Sequence, residues 1–166
     1  RLYLLQRRRE GRSDLLMIRA GVLTISDKGF RGQRKDTAGP LIAEMLKEIG
    51  CKVERQGIVP DDCEKIVECL MEWIDEYGLR LIVTTGGTGV SPTDVTPEAM
   101  LKVIEYQIPG MAEAMRASSL AKTPHAMLSR AMAGVRGNSL IINVPGSPDA
   151  AEENLAVILP ALNHAL

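Results

Sequence analysis

A three-layer α/β/α fold on a mostly parallel sheet, with an antiparallel edge strand, is the class this sequence predicts. Three observations predict it. Strand-like runs (Ala20–Ile25, Cys51–Val59, Leu79–Thr84, Ser139–Val144), the first of them short, apolar and β-branched, alternate with segments whose apolar residues recur at helical spacing. The run Leu79–Thr84 shows no regular polar–apolar alternation, as expected of a strand covered on both faces. Arg136-Gly137-Asn138, between Ala131–Val135 and Ser139–Val144, has the make-up of a hairpin turn and supplies the antiparallel edge.

The elements follow in order. Ala20–Ile25 reads as a buried strand, followed by a polar, glycine-containing loop to Thr37. Leu41, Ile42, Met45, Leu46 and Ile49 then recur at helical spacing, with Gly50 placed to end that helix. Cys51–Val59 is a second strand, stopped at Pro60. Asp61 and Glu64 have capping-box spacing, so Asp61 reads first as the cap of a helix. Its core stripe is Ile66, Leu70, Trp73, Ile74 and Tyr77, and Gly78 closes it. After the third strand, Thr96-Pro97-Glu98 offers a hydroxyl cap, a proline and a first-turn acid to start the next helix. Residues 109–130 read as helical with a break at Pro124. Ser147-Pro148-Asp149 caps a final helix that buries Leu155, Ile158, Leu159 and Leu162.

Bulk properties narrow the partners. In a chain of 166 residues, a single domain over residues 17–166 is expected, long enough to bury a core. Residues 1–16 carry Arg1, Arg7, Arg8, Arg9 and Arg12 against Glu10 and Asp14, and lack the apolar core of a secretory signal. They read as a disordered basic extension ahead of a natural start at Met17, the alternative being a basic arm for an acidic surface or nucleic acid. A net charge of −1 and 3% aromatic residues leave neither a basic footprint nor stacking platforms, which argues against nucleic acid as partner. No apolar run reaches the roughly 18–20 residues of a membrane span. Cys51, Cys63 and Cys69 are too few and too irregularly spaced for a disulfide framework or a zinc site; buried free thiols in a reducing cytoplasm are expected. A small-molecule partner remains.

In open α/β sheets a ligand sits beyond the carboxyl ends of the strands, where strand order reverses. The residues following the strands are Ser26 and Asp27, Pro60 and Asp61, Thr84-Thr85-Gly86-Gly87-Thr88-Gly89, and Pro145-Gly146-Ser147. Glycines, hydroxyls and carboxylates thus gather at one edge. The glycines of Gly86–Gly89 let backbone N–H groups form an anion nest; Thr84, Thr85 and Thr88 offer hydroxyl donors, and the helix start at Thr96 adds its dipole. A plain glycine turn is the alternative, and the segment matches neither the dinucleotide fingerprint nor the Walker loop. Asp94 alters the balance. A carboxylate inside an anion nest repels phosphate unless a cation lies between them, and magnesium is bound through one or two carboxylates plus substrate phosphates. Asp61 is the second candidate carboxylate. His125 and His164 read as surface or packing residues, and the methionines as core fillers.

Thr84–Gly89 followed by Asp94-Val95-Thr96-Pro97-Glu98-Ala99 resembles the hallmark segment of the molybdopterin adenylyltransferases. These are the Mog-type molybdenum cofactor biosynthesis proteins, which include the gephyrin-like G domains of fusion enzymes. The likeness runs over Ile18–Leu166, through Thr24–Asp27, Pro60–Asp62, Pro109–Met111, Met127–Arg130 and Ile141–Pro148. It implies a molybdopterin-binding α/β fold assembled as a homotrimer. It also implies Mg-ATP-dependent adenylylation of molybdopterin with release of pyrophosphate, and hand-over of the product to a molybdenum-inserting enzyme. Asp61 and Asp94 are then the catalytic and magnesium-binding (Mg2+) pair. Nucleotide and phosphate contacts fall to Thr85, Gly86, Gly87, Thr88, Gly89, Ser26, Asp27, Pro145, Gly146 and Ser147, and pterin contacts to Ser119 and Arg130. The alternatives are a MoaB-like paralogue with weak or different activity and a non-catalytic, pterin-binding trimeric scaffold; the two aspartates favour an enzyme. In one departure, Thr93 stands where many relatives carry a basic residue just before the loop aspartate. A base from elsewhere, Arg130 or Lys122, is expected to meet the phosphate instead.

Overall fold

The computed structural model describes residues 18–166; the basic extension expected over residues 1–16, and the expected start at Met17, lie outside the described residues. Its strands are β1 (Arg19–Ile25), β2 (Lys52–Val59), β3 (Leu81–Thr85), β4 (Tyr106–Gln107), β5 (Ala133–Arg136) and β6 (Ser139–Val144). They form one six-stranded sheet in the order β2-β1-β3-β6-β5-β4. The pairs β2–β1, β1–β3 and β3–β6 are parallel, whereas β5 and β4 are antiparallel to their neighbours. The helices are α1 (Asp27–Phe30), α2 (Ala38–Glu48), α3 (Cys63–Met71), α4 (Thr96–Val103), α5 (Pro109–Leu120), α6 (Pro148–Ile158) and α7 (Leu162–Ala165). A π-helical turn over Glu72–Glu76 continues α3.

Strand periodicity divides the interior into two cores. Val22, Val83 and Ile142 point to one face, where they meet Ile42 and Leu46 of α2, Met115 of α5 and Leu155 of α6. Their chain neighbours Leu23, Ile82 and Ile141 point to the other, against Ile66 and Leu70 of α3 and Met100 and Val103 of α4. Burial on both sides explains why β3 and β6 are buried throughout. Trp73 lies across glycines on two adjacent strands. A Cβ on Gly21 would stand 2.7 Å from its ring, and one on Gly57 3.4 Å.

Five local expectations are corrected. Asp62, not Asp61, caps α3: its carboxylate accepts from the Lys65 amide at 3.0 Å, which leaves Asp61 free for the cleft. The presumed loop after β1 opens with α1, capped by Ser26, whose hydroxyl accepts from the Gly29 amide. Thr96 is a helical residue rather than a cap; its hydroxyl donates to the Gly86 carbonyl at 2.8 Å. The hairpin strand β5 is not the edge, because the two-residue β4 pairs outside it. So short a strand carries no periodicity to read. The helix expected over 109–130 ends at Leu120, and a 3-10 turn follows at Pro124–Leu128. Of the cysteines, Cys51 is buried, while Cys63 and Cys69 are half-buried; burial and the nearby Glu72 push the Cys69 thiol up to about 11. Among the described residues no helix is long and apolar enough to cross a membrane.

Gly21→Ala tests the tryptophan contact. Trp73 is 6% exposed and has no room to retreat, so the added methyl is expected to cost about 1–3 kcal/mol in urea unfolding, whereas Gly137→Asn, at a left-handed hairpin position with φ 54° and open space around it, costs well below about 1 kcal/mol.

Candidate active site

The strand order reverses between β1 and β3: the chain leaves β1 for β2 on one side, then returns to lay β3 on the other. A cleft of about 420 Å³ opens there. Its floor comes from Thr24–Ser26 after β1 and Thr85–Gly87 after β3, and its walls from Asp61, Asp94, Gly146–Pro148 and the segment Arg34–Ala38. This is the position the topology rule assigns to a ligand.

The glycine loop is fixed by close backbone approach. Gly86 has φ 106°, and a Cβ there would stand 2.2 Å from the Ile25 carbonyl oxygen. Gly87 has φ 65°, and its Cβ would meet the Thr96 hydroxyl at 2.4 Å. No side chain fits at either position. The Gly86 amide donates to the Val144 carbonyl at 3.1 Å, and the Thr96 amide to the Gly87 carbonyl at 3.1 Å. Thr85 and Thr84 spend their hydroxyls on the scaffold: Thr85 donates to the Pro145 carbonyl at 2.7 Å, and buried Thr84 accepts from Asn143 at 2.9 Å. The expected ligand-facing role of these two hydroxyls is thereby replaced by loop anchoring.

Asp61 and Asp94 line this same cleft. Asp61 and Asp27 exchange reciprocal bonds, each carboxylate accepting from the other's amide at 2.9 Å. That leaves Asp61 Oδ1 facing Gly87, with no donor among the described residues. Asp94 Oδ2 accepts from the Ser91 amide at 3.0 Å and lies where a side chain at Gly89 would otherwise stand. Burial pushes the Asp61 carboxyl up from its ordinary value. The Asp27 amide opposes this, and the carboxylates of Asp27 and Asp94 reinforce it. Among the described residues no three His, Cys, Asp or Glu side chains cluster as a complete metal site. The donors present are hard carboxylate oxygens. They suit a divalent cation that takes its remaining ligands from phosphate and water, as magnesium does.

A second cavity, of about 280 Å³, lies on the other side of the loop. Thr88, Gly89 and Pro145 line it, together with Arg116, Ser119, Lys122, His125 and Asn154. The Ser119 hydroxyl accepts from Asn154 at 2.9 Å. The candidate residues therefore divide: Ser26, Asp61, Thr85, Gly86, Gly87, Asp94, Gly146 and Ser147 line the first cleft, and Thr88, Gly89, Ser119 and Pro145 the second. Asp27 reaches the first through Asp61. Gly146 packs on Gly86, where a Cβ would be 3.3 Å from its Cα, so the two loops form one thin partition.

Arg130 lines neither cavity. Its guanidinium donates to the Gly89 and Asp94 carbonyls at 2.7 Å each and pairs with Glu98 at 2.5 Å, bracing both ends of the loop that carries Asp94. Lys122 sits in the second cavity and pairs with Glu153 at 2.5 Å. Neither meets the carboxylate cleft as the expected replacement base. The cations that do line it, Arg34 and Lys35, were missed because they sit in an unpatterned polar segment. Arg116, His125 and Asn154 were also missed; only tertiary packing brings three separate elements to one cavity.

Fold and site define an α/β protein with two adjoining clefts at the carboxyl edge of its sheet. The family described as "Probable molybdopterin binding domain" matches residues 21–164, and the chain belongs to it. It is 42% identical over 151 residues to the molybdopterin adenylyltransferase of Helicobacter pylori, covering 90% of this chain and 86% of that protein. It is also 42% identical to the molybdenum cofactor synthesis protein cinnamon of Drosophila melanogaster, covering 88% of this chain; the match spans only 24% of that longer protein. The match to gephyrin of Dictyostelium discoideum likewise spans 22% of that protein's length. Among solved structures, the molybdopterin biosynthesis enzyme MoaB of Thermus thermophilus superposes with a TM-score of 0.85 at 50% identity, covering 90% of this chain and 94% of that one.

Arg130→Ala removes the brace and leaves two loop carbonyls without their donor. The expected result is a loss of about 1–3 kcal/mol in chemical denaturation, with faster amide exchange across residues 89–95. Arg130→Lys recovers little of it, since one ammonium does not reproduce the planar fork that reaches both carbonyls and Glu98.

Proposed function

We propose that this protein is a molybdopterin adenylyltransferase of molybdenum cofactor biosynthesis, which transfers the adenylyl group of ATP to molybdopterin and releases pyrophosphate. One observation carries the reading: two ligand-sized clefts adjoin along the Thr85–Gly89 loop and Pro145–Gly146, one bearing carboxylates and glycine backbone, the other hydroxyl, amide and basic groups. Transfer between two bound molecules needs adjoining sites, because attacking oxygen and phosphorus must approach to about 3–3.5 Å. The names of the relatives in Helicobacter pylori and Escherichia coli, both molybdopterin adenylyltransferases, support the same reading.

In this mechanism ATP occupies the larger cleft, with its α-phosphate against Gly86 and Gly87, and the pterin lies beside Ser119. An oxygen of molybdopterin attacks the α-phosphorus; the new P–O bond forms as the bond to the α–β bridging oxygen breaks, and the electron pair leaves with pyrophosphate. The backbone amides of the loop stabilise charge on the α-phosphate, and no protein nucleophile is required. Asp61 and Asp94 would hold magnesium, whose chemistry is to neutralise the polyphosphate and stabilise the leaving group. Arg130 positions Asp94 and takes no part in pterin contact. A cytoplasmic location and hand-over of the product to a molybdenum-inserting enzyme belong to the same reading, as does a homotrimer, which light scattering would show as a particle of three 18.1 kDa chains.

Mixing protein, Mg-ATP and molybdopterin and following pyrophosphate tests the assignment. Asp94→Asn and Asp61→Asn are each expected to slow release by on the order of a hundredfold or more. Full turnover in Asp94→Asn removes that residue from the mechanism, and no release from the unaltered protein favours the scaffold reading.

The raised Asp61 pKa gives a second outcome of defined sign. The folded state holds this proton more tightly than the unfolded chain, so its contribution to stability is present below the ordinary carboxylate value and is lost as pH rises through the raised one. At neutral pH Asp61→Asn is therefore expected to raise Tm while slowing turnover, and the gain disappears on acidification below the ordinary carboxylate range.

A further inference from the structure

We propose that Arg34 and Lys35 are the polyphosphate-binding cations of the larger cleft, gripping the β- and γ-phosphates of the nucleotide and hence the departing pyrophosphate. The proposal rests on the adenylyl-transfer reading and adds to it the residues that select a triphosphate.

The first ground is position. Both residues line the same cleft as Asp61, Asp94 and Gly86–Gly87. The α-phosphate must lie where the cleft adjoins the second cavity for the pterin to reach it. The rest of the nucleotide then extends away from that junction, and a wall bearing two cations takes the anionic end in preference to the nucleoside.

The second ground is anchoring. The amides of Gln33 and Arg34 both donate to the Lys28 carbonyl, at 2.8 and 3.2 Å. On the far side, Asp36 accepts from the Thr24 hydroxyl at 2.7 Å and the Gly39 amide at 3.0 Å. The backbone of Arg34-Lys35 is thus held at both ends while the two side chains remain exposed.

The third ground is availability. Among the described residues neither Arg34 nor Lys35 has a carboxylate within salt-bridge range, whereas Arg130 is paired with Glu98, Lys122 with Glu153, Lys65 with Glu68 and Lys102 with Glu64. Binding a phosphate at Arg34 or Lys35 breaks no existing ion pair. The cleft also carries Asp36, Asp61 and Asp94, and a divalent cation at the last two leaves a bound triphosphate with uncompensated negative charge. Two unpaired cations lining the same cleft answer that excess.

The test compares Arg34→Ala, Lys35→Ala and the double variant with the unaltered protein and with Lys47→Ala, a charge-removal control on α2. Each single substitution is expected to raise the KM for ATP by roughly fivefold and the double by roughly twentyfold, with the KM for molybdopterin within about twofold. Tm is expected to stay unchanged. Inhibition by inorganic tripolyphosphate and by pyrophosphate weakens in parallel, inhibition by AMP does not, and the charge-keeping pair Arg34→Lys, Lys35→Arg stays near the unaltered protein. An unchanged ATP KM in the double variant overturns the proposal, as does an equal loss of AMP and tripolyphosphate inhibition. Calorimetric titration of tripolyphosphate into the unaltered and double-variant proteins reads the cations even if no adenylyl transfer occurs. Weakened binding then keeps the phosphate site while the enzymatic reading fails, and equal binding removes the site.

Discussion

The approach of the Gly86 backbone to the Ile25 carbonyl is the constraint on which the carboxyl edge of the sheet is built. A side chain at residue 86 would stand 2.2 Å from that oxygen, so β3 can turn into its loop only with glycine there. From this contact the rest follows. The Gly86 carbonyl accepts the Thr96 hydroxyl and ties the start of α4 to the loop, the Gly86 amide holds the end of β6, and Gly146 packs directly on Gly86. Segments after β1, β3 and β6 are thereby locked against one another by close backbone approach and by the Thr85 and Thr96 hydroxyls. The partition between the two cavities is thin because no side chain thickens it.

On that rigid frame the protein accumulates unfavourable charge. Asp27, Asp61 and Asp94 are close enough for the last two to influence each other, and Asp61 is held partly out of water. Reciprocal amide bonds fix Asp27 and Asp61 in place without neutralising either. A site of this kind is poor at stabilising the empty protein and well suited to gaining a cation together with a polyphosphate, because binding relieves repulsion already present. Arg130 has a different task. Its charge goes to two carbonyls and Glu98, so it sets the shape of the loop carrying Asp94 and links that loop, through the hydrogen bond its backbone N–H donates to the Thr88 carbonyl, to the wall of the second cavity.

Much of the architecture was legible in the chain because it depends on patterns one strand or helix long. The alternation of Val22 with Leu23, the stripe of Ile66, Leu70 and Trp73, and Gly50 and Gly78 at helix ends are local signals, and each element formed where its pattern ran. Legibility failed where neighbouring residues compete for one role. Asp61 and Asp62 are both good caps, and the choice went to Asp62 because the Asp27 amide claims Asp61, a partner 34 residues away in sequence. Thr85 looked like a ligand donor and became a tether for Pro145 for the same reason.

The sequence by itself determined the layered α/β class, the glycine loop and the two aspartates that face one cleft, since composition at strand ends dictates what can gather at a sheet edge. Only the tertiary structure decided that the candidate residues serve two cavities, that Arg130 braces the loop, and that Arg34 and Lys35 line the carboxylate cleft. The physical reason is that hydrogen bonds and ion pairs between distant segments assign each polar side chain its partner. Which groups remain unpaired and open to a ligand is fixed only after that assignment is complete.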